Sequence, residues 1–176
     1  MKIEKIKADP PFDLVYYMSV SGSGRVEQRL LEGLESKWKK WKGRLQAYKL
    51  TPDVQASNGG ALPTDGYLLA WLDKDIEEEI ERIYQNDPAD GMPFHNLAIT
   101  LVMGTARAMV HQVGEGACAP LPEPDADILA AFKSLGLEWN PAGRVDRQFA
   151  VFTPMPYRDG CPICYMRNGC PSSTVR

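Results

Sequence analysis

Apolar positions along this chain fall into two rhythms, short apolar runs and stripes recurring every three or four residues, and the two alternate. The run Leu14 to Val20 is β-branched and aromatic and lies between prolines and glycines, which predicts a strand. Residues 1–11 before it are charged and end in Pro10-Pro11, leaving room for one short strand. The spacing then changes. Val26, Leu30, Leu34, Trp38, Trp41 and Leu45 recur every three or four positions and predict an amphipathic helix over 25–44. Leu45 to Val54 predicts a second strand, Ser57-Asn58-Gly59-Gly60 a turn with a short loop on to Asp65, and Gly66 to Leu72 a third strand, apolar enough to be central. Asp73 reads as the N-cap of a helix whose inner face carries Ile76, Ile80, Ile83 and Tyr84, with Glu77, Glu78, Glu79 and Glu81 on its wet side.

A helical insertion over 87–146 follows. Phe94, Leu97, Ala98, Leu101, Val102, Thr105, Ala108, Met109 and Gln112 share one face of a long helix over 93–113, and Ile99, Met103 and Val110 make its other sides apolar. A helix apolar all round is buried or shared, so a homodimer through it is one expectation. Asp125 reads as the N-cap of a helix that buries Ile128, Leu129, Phe132 and Leu135 and stops at Gly136. Trp139 to Asp146 reads as a loop, and Arg147 to Thr153 as the last strand. Together these predict one α+β domain over 1–176: a small antiparallel sheet, amphipathic helices packed on it, and a cysteine-rich C-terminal loop over 154–176. Strand, helix, strand, strand, helix and a late strand is the order of a split ferredoxin-like sheet.

Composition narrows the function classes. With 44% hydrophobic and 24% charged residues the chain is expected to fold. Its net charge of -3 argues against a general nucleic-acid binder. The two places for a phosphorylated or nucleic-acid ligand are the turn Ser21-Gly22-Ser23-Gly24-Arg25 and the basic, tryptophan-bearing stretch Lys37 to Arg44. The turn matches neither phosphate-binding glycine pattern. The tryptophans belong to the apolar stripe, and cations suit a helix C-terminus. The charged N-terminus lacks the apolar core of a signal peptide. No run reaches the about 20 apolar residues of a span, because Leu97 to Val110 is interrupted by Thr100, Gly104, Thr105 and Arg107. The expectation is a cytoplasmic protein with no membrane partner. His95 and His111 lie about 24 Å apart at the helical rise and cannot ligate one ion.

The chemistry sits in the cysteines. Cys161, Cys164 and Cys170 form C-x2-C-x5-C, with proline after the first and third, and Cys118 stands in an upstream proline-rich loop. Two thiolates at C-x2-C grip one metal centre because the turn between them points both sulfurs inward; a third six positions on reaches another corner. Zinc would use Cys161-Pro162-Ile163-Cys164 as a knuckle, although structural zinc sites usually pair two such knuckles or one with a histidine pair. A redox dithiol or a disulfide is the other alternative.

The C-x2-C-x5-C segment resembles the end of the [4Fe-4S] loop of helix-hairpin-helix DNA glycosylases. It also resembles the C-terminal cluster segment of RecB-type iron–sulfur nucleases, in which an aromatic and an arginine lie between the second and third cysteines, as Tyr165 and Arg167 do. The likeness covers about ten residues. It implies a ligand role for Cys161, Cys164 and Cys170, and nothing about catalysis. No helix-hairpin-helix glycine turn with a following aspartate is present, and Glu35-Ser36-Lys37 falls on a predicted helix rather than on a nuclease strand. Cys118 is the expected fourth ligand because the chain has no other cysteine. The first expectation is therefore an iron–sulfur accessory or electron-transfer protein acting with a redox partner. The alternatives are a zinc-stabilised binding or dimerisation module and an enzyme on a phosphorylated or nucleic-acid ligand that uses Ser21–Arg25 and the Lys37–Arg44 face; separately, a cluster held by only three cysteines would leave one iron open to substrate.

Overall fold

A computed structural model describes residues 1–53, 66–140, 143–158, 160–171 and 173. A four-stranded sheet forms its middle layer, built from β1 (Lys2–Lys5), β2 (Leu45–Thr51), β3 (Tyr67–Leu72) and, after two short strands introduced below, β6 (Ala150–Pro154). Every neighbouring pair is antiparallel and the spatial order is β1-β2-β3-β6. The α+β class and the antiparallel sheet agree with the sequence. The ferredoxin-like arrangement does not hold, since that arrangement needs a later strand between the first two, and here β1 pairs directly with β2.

The first strand is also not where its composition placed it. Leu14–Ser21 is a helix, α1. Its ends explain why. Asp13 caps it by accepting a hydrogen bond from the Tyr16 N–H at 2.9 Å, and Gly22 closes it in the left-handed region at φ 67, returning its N–H to the Met18 carbonyl. Helical spacing then puts Leu14, Tyr17 and Met18 on the core side. Two good caps and a buried face outweigh the β preference of Val, Tyr and Val, which is a weak and context-dependent quantity. The strand comes instead from the charged lead-in, where Lys2 and Lys5 mark an exposed sheet edge.

β3 is central, as its unbroken apolar run requires. Leu68, Ala70 and Leu72 face one core and Leu69 and Trp71 the other, following the period of two. On the first face lie α1, α2 (Gln28–Lys42), α3 (Lys74–Asn86) and α4 (Pro88–Met109), with Leu34, Trp38 and Trp41 of α2 and Ile76 and Ile80 of α3 buried. α4 buries Leu97, Ala98, Thr100, Leu101, Val102, Thr105 and Ala106, while Ile99, Met103 and Met109 are half-buried. Gly91 permits the close α3–α4 approach, because a Cβ there would stand 2.5 Å from the Tyr84 Cα. The long helix ends at Met109; a short α5 (His111–Gly114) follows. On the second face lie α6 (Ala126–Ser134) and a hairpin of β4 (Trp139–Asn140) and β5 (Arg144–Val145), where a loop was expected. Ile128, Phe132, Leu137 and Val145 fill that core against Phe152. Asp125 caps α6 by accepting from the Ile128 N–H at 2.8 Å. The predicted turn at Ser57–Gly60, the loop to Asp65 and the end of the second strand at Val54 lie outside the described residues.

Candidate metal centre

Beyond β6 the chain forms two 3-10 turns, Cys161–Ile163 and Tyr165–Asn168, and three contacts seat them. The first is with the Cys118 loop: Pro122 and Cys164 form an antiparallel bridge, and the Tyr165 N–H donates to the Leu121 carbonyl at 2.6 Å. The second is Tyr165 itself. Its ring stands edge-on to Trp139 with centroids 6.1 Å apart and lies over Gly143, at φ 74 in the β4–β5 hairpin. The third is Tyr157, whose hydroxyl borders Gly160: a Cβ there would come within 2.9 Å of it. Burial pushes the Tyr157 phenol up, and the nearby charges of Cys118 and Cys161 push it further. The same tyrosine therefore senses one cysteine from each loop.

Within the loop, the Cys164 N–H returns to the Cys161 carbonyl at 3.1 Å, closing the tight turn that a C-x2-C pair needs. The Arg167 N–H donates to the Cys164 carbonyl at 3.1 Å, and its Nη1 to the Pro162 carbonyl at 2.8 Å. Arg167 thus braces the turn between the cysteines. All four cysteines are thiols, Cys118 exposed and Cys161, Cys164 and Cys170 half-buried. Among the described residues, no group of three or more Cys, His, Asp or Glu side chains is arranged to hold a metal ion. The fold thus brings the two cysteine-bearing loops into contact without grouping three of the thiols around one point.

The other candidate residues are placed elsewhere. His95 stands edge-on to Phe149, with centroids 5.2 Å apart, and His111 is exposed beside Glu115. The glycine turn at Ser21–Arg25 follows a helix, and the N–H groups of Gly22 and Ser23 both return to the Met18 carbonyl, so neither is aimed at a phosphate. The basic face is largely neutralised. Lys37 and Lys40 pair with Glu79, Lys42 with Asp9 at 2.5 Å, and Arg44 with Asp73 and Asp75 at 3.0 and 2.8 Å. Asp73 stands at the N-cap position of α3, yet its carboxylate serves Arg44 and Gln46 instead of the helix. Glu79 and Glu77 are not simply wet. Glu79 also accepts from the buried Trp41 indole N–H at 3.3 Å, and Glu77 accepts from the Gln148 N–H at 2.8 Å.

Tyr157, Gly143 and the Leu121–Pro122 pair were not legible as parts of this region. A tyrosine four residues before a C-x2-C pair was the only available hint. Comparisons with protein-family models, curated proteins and solved structures find no match. No helix among the described residues is long and apolar enough to cross a membrane.

Proposed function

We propose that this chain holds an iron–sulfur cluster, of the [4Fe-4S] type, through Cys118, Cys161, Cys164 and Cys170, and serves as an accessory or electron-transfer protein to a redox partner in a reducing, cytoplasmic compartment. The observation that carries this reading is the tie between the two loops, Tyr165 N–H to Leu121 carbonyl, which joins the loop bearing the lone upstream cysteine to the loop bearing the other three. The tight Cys161–Cys164 turn and the absence of disulfides among the four cysteines also support it. Binding has to gather the sulfurs around one point, an arrangement of three or more that the described residues do not hold. That is ordinary for metal sites, whose assembly is coupled to local folding. With four thiolate ligands the centre is closed, which suits electron transfer or structural support over substrate binding.

A zinc-stabilised binding or dimerisation module is the second reading, favoured by the same Cys161–Cys164 turn, which has the form of a zinc knuckle. The ion pairs along Lys37–Arg44 weigh against the third, a phosphorylated or nucleic-acid ligand on that face. Purification without oxygen, with the visible spectrum and assays of iron, sulfide and zinc, separates the first two. A coloured protein with matched iron and sulfide supports the cluster. Colourless protein with one zinc supports the knuckle, and protein that carries no metal overturns both.

A further inference from the structure

On the helical side of the molecule a pocket of ≈ 210 Å³ opens between α1, α2 and α4. Pro11, Tyr16, Trp38 and Gly104 line it, and Asp13 and Arg107 bring opposite charges to it. Three observations set it apart from a packing gap.

First, the Arg107 guanidinium lies over the Tyr16 ring, 4.3 Å from its centroid. A guanidinium held over a ring by its charge keeps N–H donors for an acceptor. Among the described residues no carboxylate lies within ion-pair distance of this half-buried cation. Second, Asp13 stands at the exposed rim and accepts from the Tyr16 N–H through Oδ1, and among the described residues no donor meets its other oxygen. Third, the fold does not require glycine at position 104. A Cβ there would meet Pro10 at 3.7 Å and Trp38 at 3.9 Å, both ordinary contacts, whereas Gly91 and Gly114 face backbone at 2.5 and 2.7 Å. A glycine inside a helix costs about 1 kcal/mol relative to alanine. Here the missing side chain leaves the pocket open.

We infer that this pocket binds a small zwitterion, a free α-amino acid with an apolar side chain no larger than one ring, its carboxylate on Arg107 and its ammonium on Asp13. The volume lies below the about 300–1,000 Å³ of sites for drug-sized ligands and suits one of amino-acid size. A plain anion would meet the Asp13 charge, and a plain cation the Arg107 charge; a dipolar ligand satisfies both. Tyr16, Trp38 and Pro11 supply the apolar surface for its side chain.

The test is calorimetric or NMR titration of the intact chain with L-phenylalanine and L-leucine, set against 3-phenylpropanoate and 2-phenylethylamine. The expected result is saturable binding of at least one amino acid, with both single-charge analogues about tenfold weaker or more. Arg107→Gln should abolish it, and Gly104→Leu, which fills the pocket, should do so without touching either charge. Circular dichroism checks that each variant folds, and Arg107→Gln decides the matter if Gly104→Leu does not. No saturable binding of either amino acid, equal binding of a single-charge analogue, or binding that survives in a folded Arg107→Gln variant would overturn the inference.

Discussion

The ring of Tyr165 rests on the α-carbon of Gly143, so closely that a Cβ at 143 would stand 2.6 Å from the ring's Cζ. This contact joins the cysteine loop to the β4–β5 hairpin and, through Trp139 and Phe132, to the second core. It gives Tyr165 a packing role that its place between two cysteines did not reveal.

Gly143→Ala should therefore displace the loop. The left-handed φ and the overlap together should lower stability by about 1–3 kcal/mol. Urea unfolding measures the loss, and hydrogen exchange over 160–170 should rise with it. In a Tyr165→Ala background the same substitution should cost only the backbone penalty, about 1 kcal/mol. Equal costs in the two backgrounds would contradict the contact.

Glu79 ties α3 to α2. Burial raises its pKa, but the Lys37 ammonium, the Trp41 indole and Lys40 outweigh burial and hold it below the usual carboxylate range. A depressed acid stabilises the fold at pH above its unfolded value, and that contribution is lost as pH falls through the folded value. Glu79→Ala should flatten this acid limb. At neutral pH it should cost about 1–3 kcal/mol, because the Trp41 indole is left buried without its acceptor.

Glu77 behaves in the opposite sense. Burial raises its pKa and outweighs the backbone N–H groups of Gln148 and Phe149. A raised acid contributes stability that is present below its unfolded value and is lost as pH rises through the folded one. Glu77→Gln should thus gain on the native protein as pH rises from the acid range to neutrality. The comparison of unfolding midpoints across pH checks the sign.

Cys118 is exposed and tied to no disulfide, so Cys118→Ser should leave the metal-free protein's melting temperature unchanged. In protein purified without oxygen it should lower both metal content and melting temperature. If it alters neither, Cys118 is not a ligand, and a three-cysteine centre with an open position is the remaining form.

Much of the fold could be read because it follows from periodicity: Trp38 and Trp41 on the buried stripe of α2, the doubly buried β3, and Asp125 at the start of α6. Leu14–Ser21 was misread because its composition favours a strand, while the caps at Asp13 and Gly22 and the burial of Tyr17 favour a helix. The sheet order was misread for a related reason. Pairing β1 with β2 across some 40 intervening residues leaves no local trace. At the candidate centre, residue type and spacing singled out the cysteines, and the link between their loops was inferable from their number alone. The packing of Tyr165 on Gly143 and the position of Tyr157 depend on tertiary contacts between distant segments.

The central claim is that Cys118, Cys161, Cys164 and Cys170 share one metal centre. Differential alkylation tests it most directly: the chain is loaded with ferrous iron and sulfide without oxygen, treated with a thiol reagent, and read by mass spectrometry beside the metal-free chain. The account predicts that all four cysteines react freely in the metal-free chain and are protected together in the loaded one. Alkylation of the four at the same rate with and without metal would contradict it.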